Sequence, residues 1–330
     1  MYWSLASLAC ISMDKILSKA YSARVLVVGD AMLDRYWFGD VNRISPEAPV
    51  PVLAISDSEE RAGGAANVAC NISALGAHCD LISVVGNDDA AHELERLLTE
   101  KGVTPSFIRD AEHVTTVKLR LLSRNQQLLR ADFEQQPGDV FIVEAMELYK
   151  KHLESTDIVL LSDYGKGVLR DIDQMIDAAK SKGLKILADP KGRDFSRYRG
   201  ATMITPNRHE FEDVVGLCPS LDVMAVKAAE LLKIIEVEFL LVTLSEKGMA
   251  LFDKDGLVFH QKARAREVYD VSGAGDTVIG AVAAMLAAGA NYRDAVHLAN
   301  AAAAIVVGKL GVATASADEI MIEISKEEIA

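Results

Sequence analysis

The chain has 330 residues, half of them hydrophobic, and a formal net charge of −13. This length allows one large α/β domain or two smaller ones, and no stretch reaches the ~20 apolar residues that a membrane span needs. The acidic balance argues against nucleic acid or an anionic membrane surface as a partner. A phosphate ligand stays compatible with it, because local backbone N–H groups and a few Lys or Arg residues can bind an anion.

Residues 1–22 carry a short apolar run without the basic start or cleavage site of a secretory signal. They are predicted to form a loose extension ahead of a single domain at residues 23–330. The four cysteines show neither metal-ligand nor disulfide spacing, as is typical of a reducing compartment. We therefore expect a cytoplasmic protein.

Short apolar runs alternate with helical stretches along most of the chain. The runs are Val25–Val28, Leu81–Val85, Ile158–Leu161, Ile186–Ala188 and Phe239–Val242. Continuous runs of this length are typical of parallel strands that are buried on both faces. The alternation predicts the α/β class, with a mostly parallel sheet between two layers of helices.

Polar residues follow these strands at or just beyond their ends. In open α/β sheets, ligands bind at the carboxyl edge of the strands, so the recurrence predicts one shared cleft rather than separate turn formers. These residues are Asp30, Asp34, Asp163, Asp189, Lys191, Asn207 and Thr243.

Two antiparallel ribbons interrupt the alternation, at about residues 35–60 and 112–132. The first flanks a Pro-rich turn and the second turns at Asn125. They predict either a β lid over the carboxyl edge of the sheet or extra strands at the side of that sheet. No linker or internal repeat separates them from the rest, which favours one core with a lid.

The strongest local motif is Gly273-Ala274-Gly275-Asp276, which leads into an Ala-rich helix. Small residues let several N–H groups point into one space, and the helix dipole adds positive potential. Gly273, Ala274 and Gly275 are thus candidates for an anion hole around a phosphoryl group in transfer. Asp276 is a candidate base for the attacking hydroxyl, or alternatively only a helix cap.

Two weaker motifs also suit a phosphate-transfer site. Gly63 and Gly64 would let a polar ligand approach the backbone, and Asn67 offers both a donor and an acceptor. Asn207 and Glu210 suit a water-mediated hold on Mg²⁺ or a helix capping box, and both can be true. The P-loop, the dinucleotide-binding fingerprint and the protein-kinase motifs are missing from the sequence.

Cations gather in the ribbon segments of this acidic chain. They serve either solubility or a clamp on a substrate phosphate. Lys191 is a candidate to steady the polyphosphate of ATP, or else a plain surface lysine. The ribbon cations are Arg43, Lys118, Arg120, Arg124 and Arg130.

A family resemblance rests on three motifs together: Gly63-Gly64-x-x-Asn67, Asn207-x-x-Glu210 and Gly273-Ala274-Gly275-Asp276. In this combination the chain resembles the ribokinase or PfkB sugar-kinase family from about Val25 onward. The resemblance implies a ribokinase-like α/β/α sandwich with a small β lid, Asp276 as general base and the Gly273–Gly275 amides as anion hole. It also implies ATP and Mg²⁺, admits a monovalent cation, and implies a homodimer formed through the lids.

Within that family, the stretches around Gly29–Tyr36, Asn42–Val52, Ser162–Gly167 and Asp189–Gly192 resemble the heptose 7-phosphate kinases. The resemblance implies phosphorylation of the anomeric hydroxyl of D-glycero-β-D-manno-heptose 7-phosphate, on the way to ADP-heptose for lipopolysaccharide. It further implies a stand-alone kinase, because the chain stops where a fused nucleotidyltransferase half would begin.

The resemblance, with the ribbon cations, also implies roles for individual residues. Asp276, Gly273, Ala274, Gly275 and Lys191 would be catalytic, and Glu210 would hold the metal through water. The substrate-binding set is Asp34, Asn42, Arg43, Gly63, Gly64, Asn67, Lys118, Arg120, Asp163 and Lys166. The ATP-binding set is Lys191, Asn207, Glu210, Thr243, Ser245, Gly248 and Asn300.

Two other functions stay open on the sequence. One is a kinase for another sugar or sugar phosphate, such as fructose 1-phosphate or ribose, although the ribbon cations favour a phosphorylated substrate. The other is a sensor of nucleotides or sugar phosphates without catalysis, against which Asp276 and its glycines argue. A nicotinamide-dependent dehydrogenase is disfavoured by the missing fingerprint.

Overall fold

The protein contains two β-sheets and two layers of helices, seen in a computed structural model that describes residues 13, 15–124, 126–264, 268–309 and 311–327. The strands are β1 (Arg24–Gly29), β2 (Ala31–Ile44), β3 (Pro51–Gly64), β4 (His78–Gly86), β5 (Val103–Asp110), β6 (Val117–Ser123), β7 (Gln126–Phe133), β8 (Ile158–Ser162), β9 (Lys185–Asp189), β10 (Met203–Ile204), β11 (Phe239–Thr243), β12 (Met249–Asp253) and β13 (Gly256–Gln261). The helices are α1 (Ala65–Ala74), α2 (Asp89–Glu100), α3 (Asp139–His152), α4 (Ile172–Ser181), α5 (Arg208–Val215), α6 (Leu221–Ile235), α7 (Ala274–Ala287), α8 (Tyr292–Val306) and α9 (Ala317–Glu327).

The large sheet has the strand order β13-β12-β11-β10-β9-β8-β1-β4-β5. All pairs from β11 to β5 are parallel, whereas β12 and β13 are antiparallel additions at one side. The predicted mostly parallel sheet is therefore confirmed. From β1 the chain moves outward through β4 and β5, then returns to β8 on the other side of β1. Ligands of open α/β sheets bind at such a switch point.

Strand β1 shows why the buried runs are continuous rather than alternating. Val25 and Val27 point into the core under α1, α2 and α7–α9, whereas Leu26 and Val28 point into the core under α3–α6. Both faces of a strand are buried when helices cover both sides of the sheet. The arrangement is the predicted α/β/α layering.

The small sheet has the order β3-β2-β6-β7 and contains both predicted ribbons. It is separate from the large sheet, so the alternative of extra strands at the side of that sheet is wrong. Its strands β2 and β3 are 14 residues each, longer than the ribbons that the sequence indicated. Their outer halves carry polar, exposed residues, which blurs the hydrophobic alternation. The turn expected at Asn125 lies outside the described residues.

The predicted loose extension is partly helical. Residues 15–20 form helix, and Leu17 and Ala20 are buried in the core beside α1. These two apolar side chains lie three positions apart and so share one helix face. The prediction was wrong for this part of residues 1–22, while residues 1–12 and 14 lie outside the described part of the chain.

Candidate active site

Helix α7 begins at the centre of the carboxyl edge of the large sheet. Its N-cap is Gly273, whose φ of 76° lies in the left-handed region that favours glycine. A Cβ at Gly273 would lie 2.7 Å from the side-chain nitrogen of Asn67, so the close approach of α1 also requires glycine. The turn directs the first N–H groups of α7 toward the cleft, where the helix dipole favours an anion.

Asp276 lies in the first turn of α7 and is buried, with 6% of its surface exposed. Its Oδ2 accepts a hydrogen bond from Nδ2 of Asn67 at 2.7 Å, and its Oδ1 accepts one from the Tyr164 hydroxyl at 2.5 Å. The N-cap is Gly273, so the alternative of Asp276 as a mere cap is wrong. Burial raises the pKa of Asp276 to about 6, although the hydrogen bonds from Asn67 and Tyr164 act in the opposite direction.

The buried side chains of Asn71 and Thr277 help to hold Asn67 beside Asp276. The amide of Asn71 donates to the Asn67 carbonyl at 2.9 Å, and its side-chain oxygen accepts from the Thr277 hydroxyl at 2.9 Å. Helices α1 and α7 approach closely at Gly280, where a Cβ would meet the Val68 carbonyl at 3.1 Å. The Ala-rich sequence of α7 therefore permits the contact that brings Asn67 to Asp276.

Asp30 organises the loop that follows β8. Its carboxylate accepts hydrogen bonds from the backbone N–H groups of Tyr164 (2.9 Å), Lys166 (2.9 Å) and Val168 (3.1 Å). These bonds tie the end of β1 to the loop after β8 across the switch point. The loop conformation in turn places the Tyr164 ring against Asp276.

Beside Asp276 lies a cleft of about 210 Å³ that contains most of the predicted ATP-side residues. The structure therefore brings together residues from β9, α5, β11 and α7 that are far apart in sequence, as the shared-cleft prediction required. The lining comprises Asp163, Tyr164, Asp189, Pro190, Lys191, Thr205, Asn207, Glu210, Thr243, Gly273, Gly275 and Asp276.

Asn207 and Glu210 form the capping box that the sequence offered as one alternative. Oδ1 of Asn207 accepts from the Glu210 N–H at 2.9 Å, and the Glu210 carboxylate accepts from the Asn207 N–H at 3.0 Å. Nζ of Lys191 lies 3.3 Å from the other Glu210 oxygen. The capping role is thus confirmed, and the carboxylate of Glu210 still lines the cleft.

Further ATP-side residues lie along the same edge. A Cβ at Gly248 would overlap the backbone of residues 261–263, and Asn300 donates to the Lys262 carbonyl at 3.0 Å. Ser245 is exposed in the short turn before Gly248. Gly248 and Asn300 therefore meet at one backbone segment, and the Gly248 N–H donates to the Ser245 carbonyl at 2.9 Å.

The small sheet supplies the other side of the site. Asp34 is 4% exposed and pairs with Arg120 of β6 at 2.6 Å. A Cβ at Gly63 would lie 2.5 Å from the Asp34 carboxylate, and one at Gly64, with φ 57°, would lie 2.5 Å from the Asp30 carbonyl. The two glycines therefore let β3 pass close to both acids on its way into α1.

Lys118 lies on the same face and contacts an aromatic ring rather than a carboxylate among the described residues. Its Nζ forms no hydrogen bond or ion pair with any residue that the structure describes, and it lies 5.7 Å from the centre of the Tyr164 ring. Burial lowers its pKa, against the opposite influence of the Asp34 charge. A half-buried ammonium without a carboxylate favours an incoming anion.

Four predicted substrate residues make other contacts or lie away from Asp276, although Asp163 still lines the cleft beside it. Asp163 accepts from the Gly165 N–H and the Tyr198 hydroxyl, and Lys166 pairs with Glu134. Asn42 and Arg43 are exposed near the outer end of β2, about 30 Å along the strand from Asp34. A strand of that length carries them away from the site within one chain.

The sequence analysis gave no role in the site to Tyr164 or Thr205, whereas it correctly placed Asp189 in the shared cleft. Asp189 is buried, its pKa is raised well above the usual value by burial, and it accepts from the Thr205 hydroxyl at 3.2 Å. Position after a strand end was the available signal for all three. Within the described residues no group of three or more His, Cys, Asp or Glu side chains is arranged to enclose a metal ion. A divalent ion here would therefore rely on water and nucleotide oxygens in addition to Glu210.

A buried carboxylate at a helix N-terminus, a glycine turn and a cleft at the sheet edge define a phosphate-transfer enzyme of the α/β/α type. Residues 22–319 match the family model described as pfkB family carbohydrate kinase. The chain belongs to this family. It is an ATP-dependent carbohydrate kinase.

The chain is similar in sequence to curated proteins of two different lengths. The chain is 52% identical over 298 residues to a D-beta-D-heptose 7-phosphate kinase of Bordetella bronchiseptica, covering 90% of this chain and 95% of that protein. It is 51% identical over 298 residues to a bifunctional protein HldE of Proteus mirabilis, covering 90% of this chain and 63% of that protein. The chain thus spans less than two thirds of the bifunctional relatives that it matches.

Solved structures share the fold at low sequence identity. Phosphofructokinase-2 from Escherichia coli, in complex with potassium, superposes with a TM-score of 0.78 at 20% identity, covering 93% of this chain and 99% of that chain. Ribokinase of Arabidopsis thaliana, with ribose and ATP, gives 0.74 at 21% identity, covering 92% and 98%. The predicted ribokinase-like fold is confirmed. Among the described residues, no helix is long and apolar enough to cross a membrane.

Proposed function

We propose that this chain phosphorylates the anomeric hydroxyl of D-glycero-β-D-manno-heptose 7-phosphate with ATP and forms the 1,7-bisphosphate. The reaction would serve ADP-heptose and lipopolysaccharide core biosynthesis in the cytoplasm. Identity of 52% to a heptose 7-phosphate kinase supports the substrate. The observation that carries the chemistry is Asp276, buried at the N-terminus of α7 between the cleft and the small sheet.

In the proposed step, Asp276 accepts the proton of the anomeric hydroxyl as that oxygen attacks the γ-phosphorus. The bond between this phosphorus and its bridging oxygen breaks, and ADP leaves with the electron pair. The Gly273–Gly275 amides and Lys191 stabilise charge on the transferring group. Mg²⁺ neutralises the phosphates of ATP when bound, and Glu210 would hold it through water.

The small sheet is proposed to be a lid that covers the sugar and excludes water. It carries Asp34, Lys118 and Arg120 on the face toward Asp276, whose pKa responds to the charges of Asp34 and Lys118. Asp34, Gly63, Gly64 and Asn67 would bind sugar hydroxyls. Lys118, which contacts a ring rather than a carboxylate among the described residues, would receive the substrate phosphate.

The phosphate role of Lys118 can be tested by Lys118→Gln. We expect kcat/KM for the sugar phosphate to fall about 10–100-fold, because a charge-assisted hydrogen bond is lost. Arg130→Gln is the matched control, since Arg130 already pairs with Asp132 on the same small sheet. Equal losses in the two variants would refute the assignment to Lys118.

A homodimer through the lids would bury the face of the small sheet opposite Asp34. Side chains alternate along strands, so Trp37, Leu121 and Leu129 form an apolar row on that face. Leu129 is 57% exposed, and a second copy would cover it. A need for a monovalent cation is proposed from the family alone.

The deciding experiment is ³¹P NMR of the protein with Mg²⁺-ATP and D-glycero-β-D-manno-heptose 7-phosphate, with fructose 1-phosphate and ribose in parallel. A new anomeric phosphate signal with the heptose alone is expected. Turnover only with another sugar would refute the proposed substrate but would leave the proposed role of Asp276 as base in place. No turnover with any of them would leave a non-catalytic sensor.

The same assay tests the base. Asp276→Asn should lower kcat about 10²–10⁴-fold. The wild-type rate should rise with pH through about 6, because Asp276 acts only when ionised. A near-normal kcat in the variant would remove Asp276 from the mechanism.

A further inference from the structure

We infer that Tyr164 is a positioning residue for the base: its hydroxyl holds the Asp276 carboxylate and leaves part of that carboxylate to the sugar hydroxyl. The inference rests on the proposed role of Asp276 as general base. It assigns a function to a side chain that the three sequence motifs do not include.

Among the described residues, each oxygen of the Asp276 carboxylate accepts from one donor. Oδ1 accepts from the Tyr164 hydroxyl at 2.5 Å, and Oδ2 accepts from Asn67 at 2.7 Å. A carboxylate oxygen has more than one lone-pair site, so a third donor can still reach it. With both oxygens held, the carboxylate cannot rotate, and the remaining lone pairs keep one direction for the incoming hydroxyl.

Tyr164 is itself fixed at both ends. Its backbone N–H donates to buried Asp30 at 2.9 Å. Its ring has Lys118 of the small sheet 5.7 Å from its centre and lines the cleft beside Asp189. The ring therefore stands between the ATP side and the small sheet, with its hydroxyl on the base.

The protonation of Tyr164 suits a permanent donor. Burial, followed by the charge of Asp276, raises the pKa of Tyr164 well above its usual value, so the hydroxyl keeps its proton. The other groups that face Asp276 are Asn67 from α1, Asp34 from β2, Lys118 from β6 and Asp189 from β9. Tyr164 and Asn67 donate hydrogen bonds that favour the ionised base.

The test is Tyr164→Phe, which keeps the ring beneath Lys118 and the backbone bond to Asp30. We expect kcat to fall about 10-fold or more, because a hydrogen bond to a charged group is lost. The acid limb of the kcat/KM profile should move to higher pH by about one unit. The KM for ATP should change little, since the phenyl ring still lines the cleft.

Tyr149→Phe is the matched control. Tyr149 is fully buried and donates to the Met175 carbonyl at 2.9 Å, in the helical layer that contains α3 and α4. We expect it to lower the midpoint of unfolding without moving the acid limb. If Tyr164→Phe likewise costs stability and leaves the acid limb in place, Tyr164 is structural and the inference is wrong.

A second readout needs no turnover. In protein labelled with ¹³C at the aspartate carboxyls, the Asp276 signal is the one missing from Asp276→Asn. Its titration midpoint should lie at about 6 in the wild type and higher in Tyr164→Phe. An unchanged midpoint overturns the inference, and a raised midpoint supports it whichever sugar the enzyme accepts. A wrong assignment of the substrate would instead be detected in the ³¹P NMR comparison of the three sugars.

Discussion

At the scale of single residues, burial of Asp276 has two opposite effects: it makes ionisation of the carboxylate costly, and it makes the ionised carboxylate a stronger base. Burial raises its pKa from 3.8 to about 6, which corresponds to roughly 3 kcal/mol of unfavourable ionisation in the folded state. The same burial brings a strong base next to the transferring group. A base of this pKa is ionised at neutral pH and still accepts a proton readily.

This conflict predicts a pH-dependent stability difference between the wild type and Asp276→Asn. The folded-state pKa of Asp276 is raised, so its contribution to stability is present below 3.8 and lost as pH rises through about 6. We expect the free energy of unfolding of the wild type to decline relative to the variant across that window, as urea denaturation can measure.

Asp88→Asn is the control, because its stability difference from the wild type should change with pH in the opposite direction. Burial alone would raise the pKa of Asp88, but hydrogen bonds from Thr115 and Ala91 hold it below its usual value. The wild type should therefore gain stability over this variant as pH rises. A parallel trend in the two variants would contradict the assignment for Asp276.

Gly273 gives a second prediction at this scale. Gly273→Ala places a Cβ 2.7 Å from Nδ2 of Asn67 at a φ of 76°, so it should displace Asn67 from Asp276. We expect lower stability and a lower kcat. Gly275→Ala has no atom within 4 Å of its Cβ and should keep or raise stability, by up to about 1 kcal/mol. Thermal unfolding of both variants measures these stability changes. A Gly273→Ala variant as stable as the wild type would contradict the steric argument.

At the scale of elements, the small sheet has two chemically different faces. Lys118, Arg120 and Asp34 point toward the site, whereas the apolar row of Trp37 and Leu121 points away from it. Alternation along a strand produces this division, because successive side chains lie on opposite faces. The sequence shows the alternation but cannot tell which face meets the core.

The two faces predict the outcome of a charge introduced on β7. Leu129→Glu lies in the apolar row and should convert the proposed dimer into a monomer, because a buried carboxylate without a partner is unfavourable. Gln127→Glu places a carboxylate on the opposite face, because Gln127 pairs with Leu122, the neighbour of Leu121 in β6, and this variant should stay dimeric. Analytical ultracentrifugation distinguishes them. A wild type that sediments as a monomer, or two variants with equal sedimentation, would contradict a dimer through this face.

At the scale of the whole molecule, the site depends on long-range convergence. Asp30 follows β1, Tyr164 follows β8 and Asp276 lies in the first turn of α7, yet all three meet at the switch point between β1 and β8. Because the carboxyl ends of parallel strands share one edge, the topology alone brings these positions together. ATP and the sugar would then bind side by side at this edge of the large sheet.

This convergence predicts that each substrate stabilises the whole fold. In Asp276→Asn, which should bind without turnover, heptose 7-phosphate or Mg²⁺-ATP at about 100 times its Kd should add about 2.7 kcal/mol to the free energy of unfolding. Thermal shift with each ligand measures it. Ribose serves as the unphosphorylated control and should stabilise less, since Lys118 would lack its anion. An equal shift with ribose would contradict the phosphate role.

The sequence by itself determined the α/β class, the buried parallel strands and the anion-hole motif. Each of these follows from local pattern: continuous apolar runs, glycines beside a helix start, and polar residues after strand ends. The capping box of Asn207 and Glu210 is equally local, and the structure confirmed it. Family resemblance then added the sugar-kinase chemistry.

Only the tertiary structure decided which polar residues share the site. It brought Tyr164 to Asp276, across 112 positions of sequence, and Asn67 across 209. It also left Asn42 and Arg43 at the outer end of β2 and turned Asp163 toward Tyr198. Such contacts depend on strand order, strand length and helix packing, which no local pattern of residues specifies.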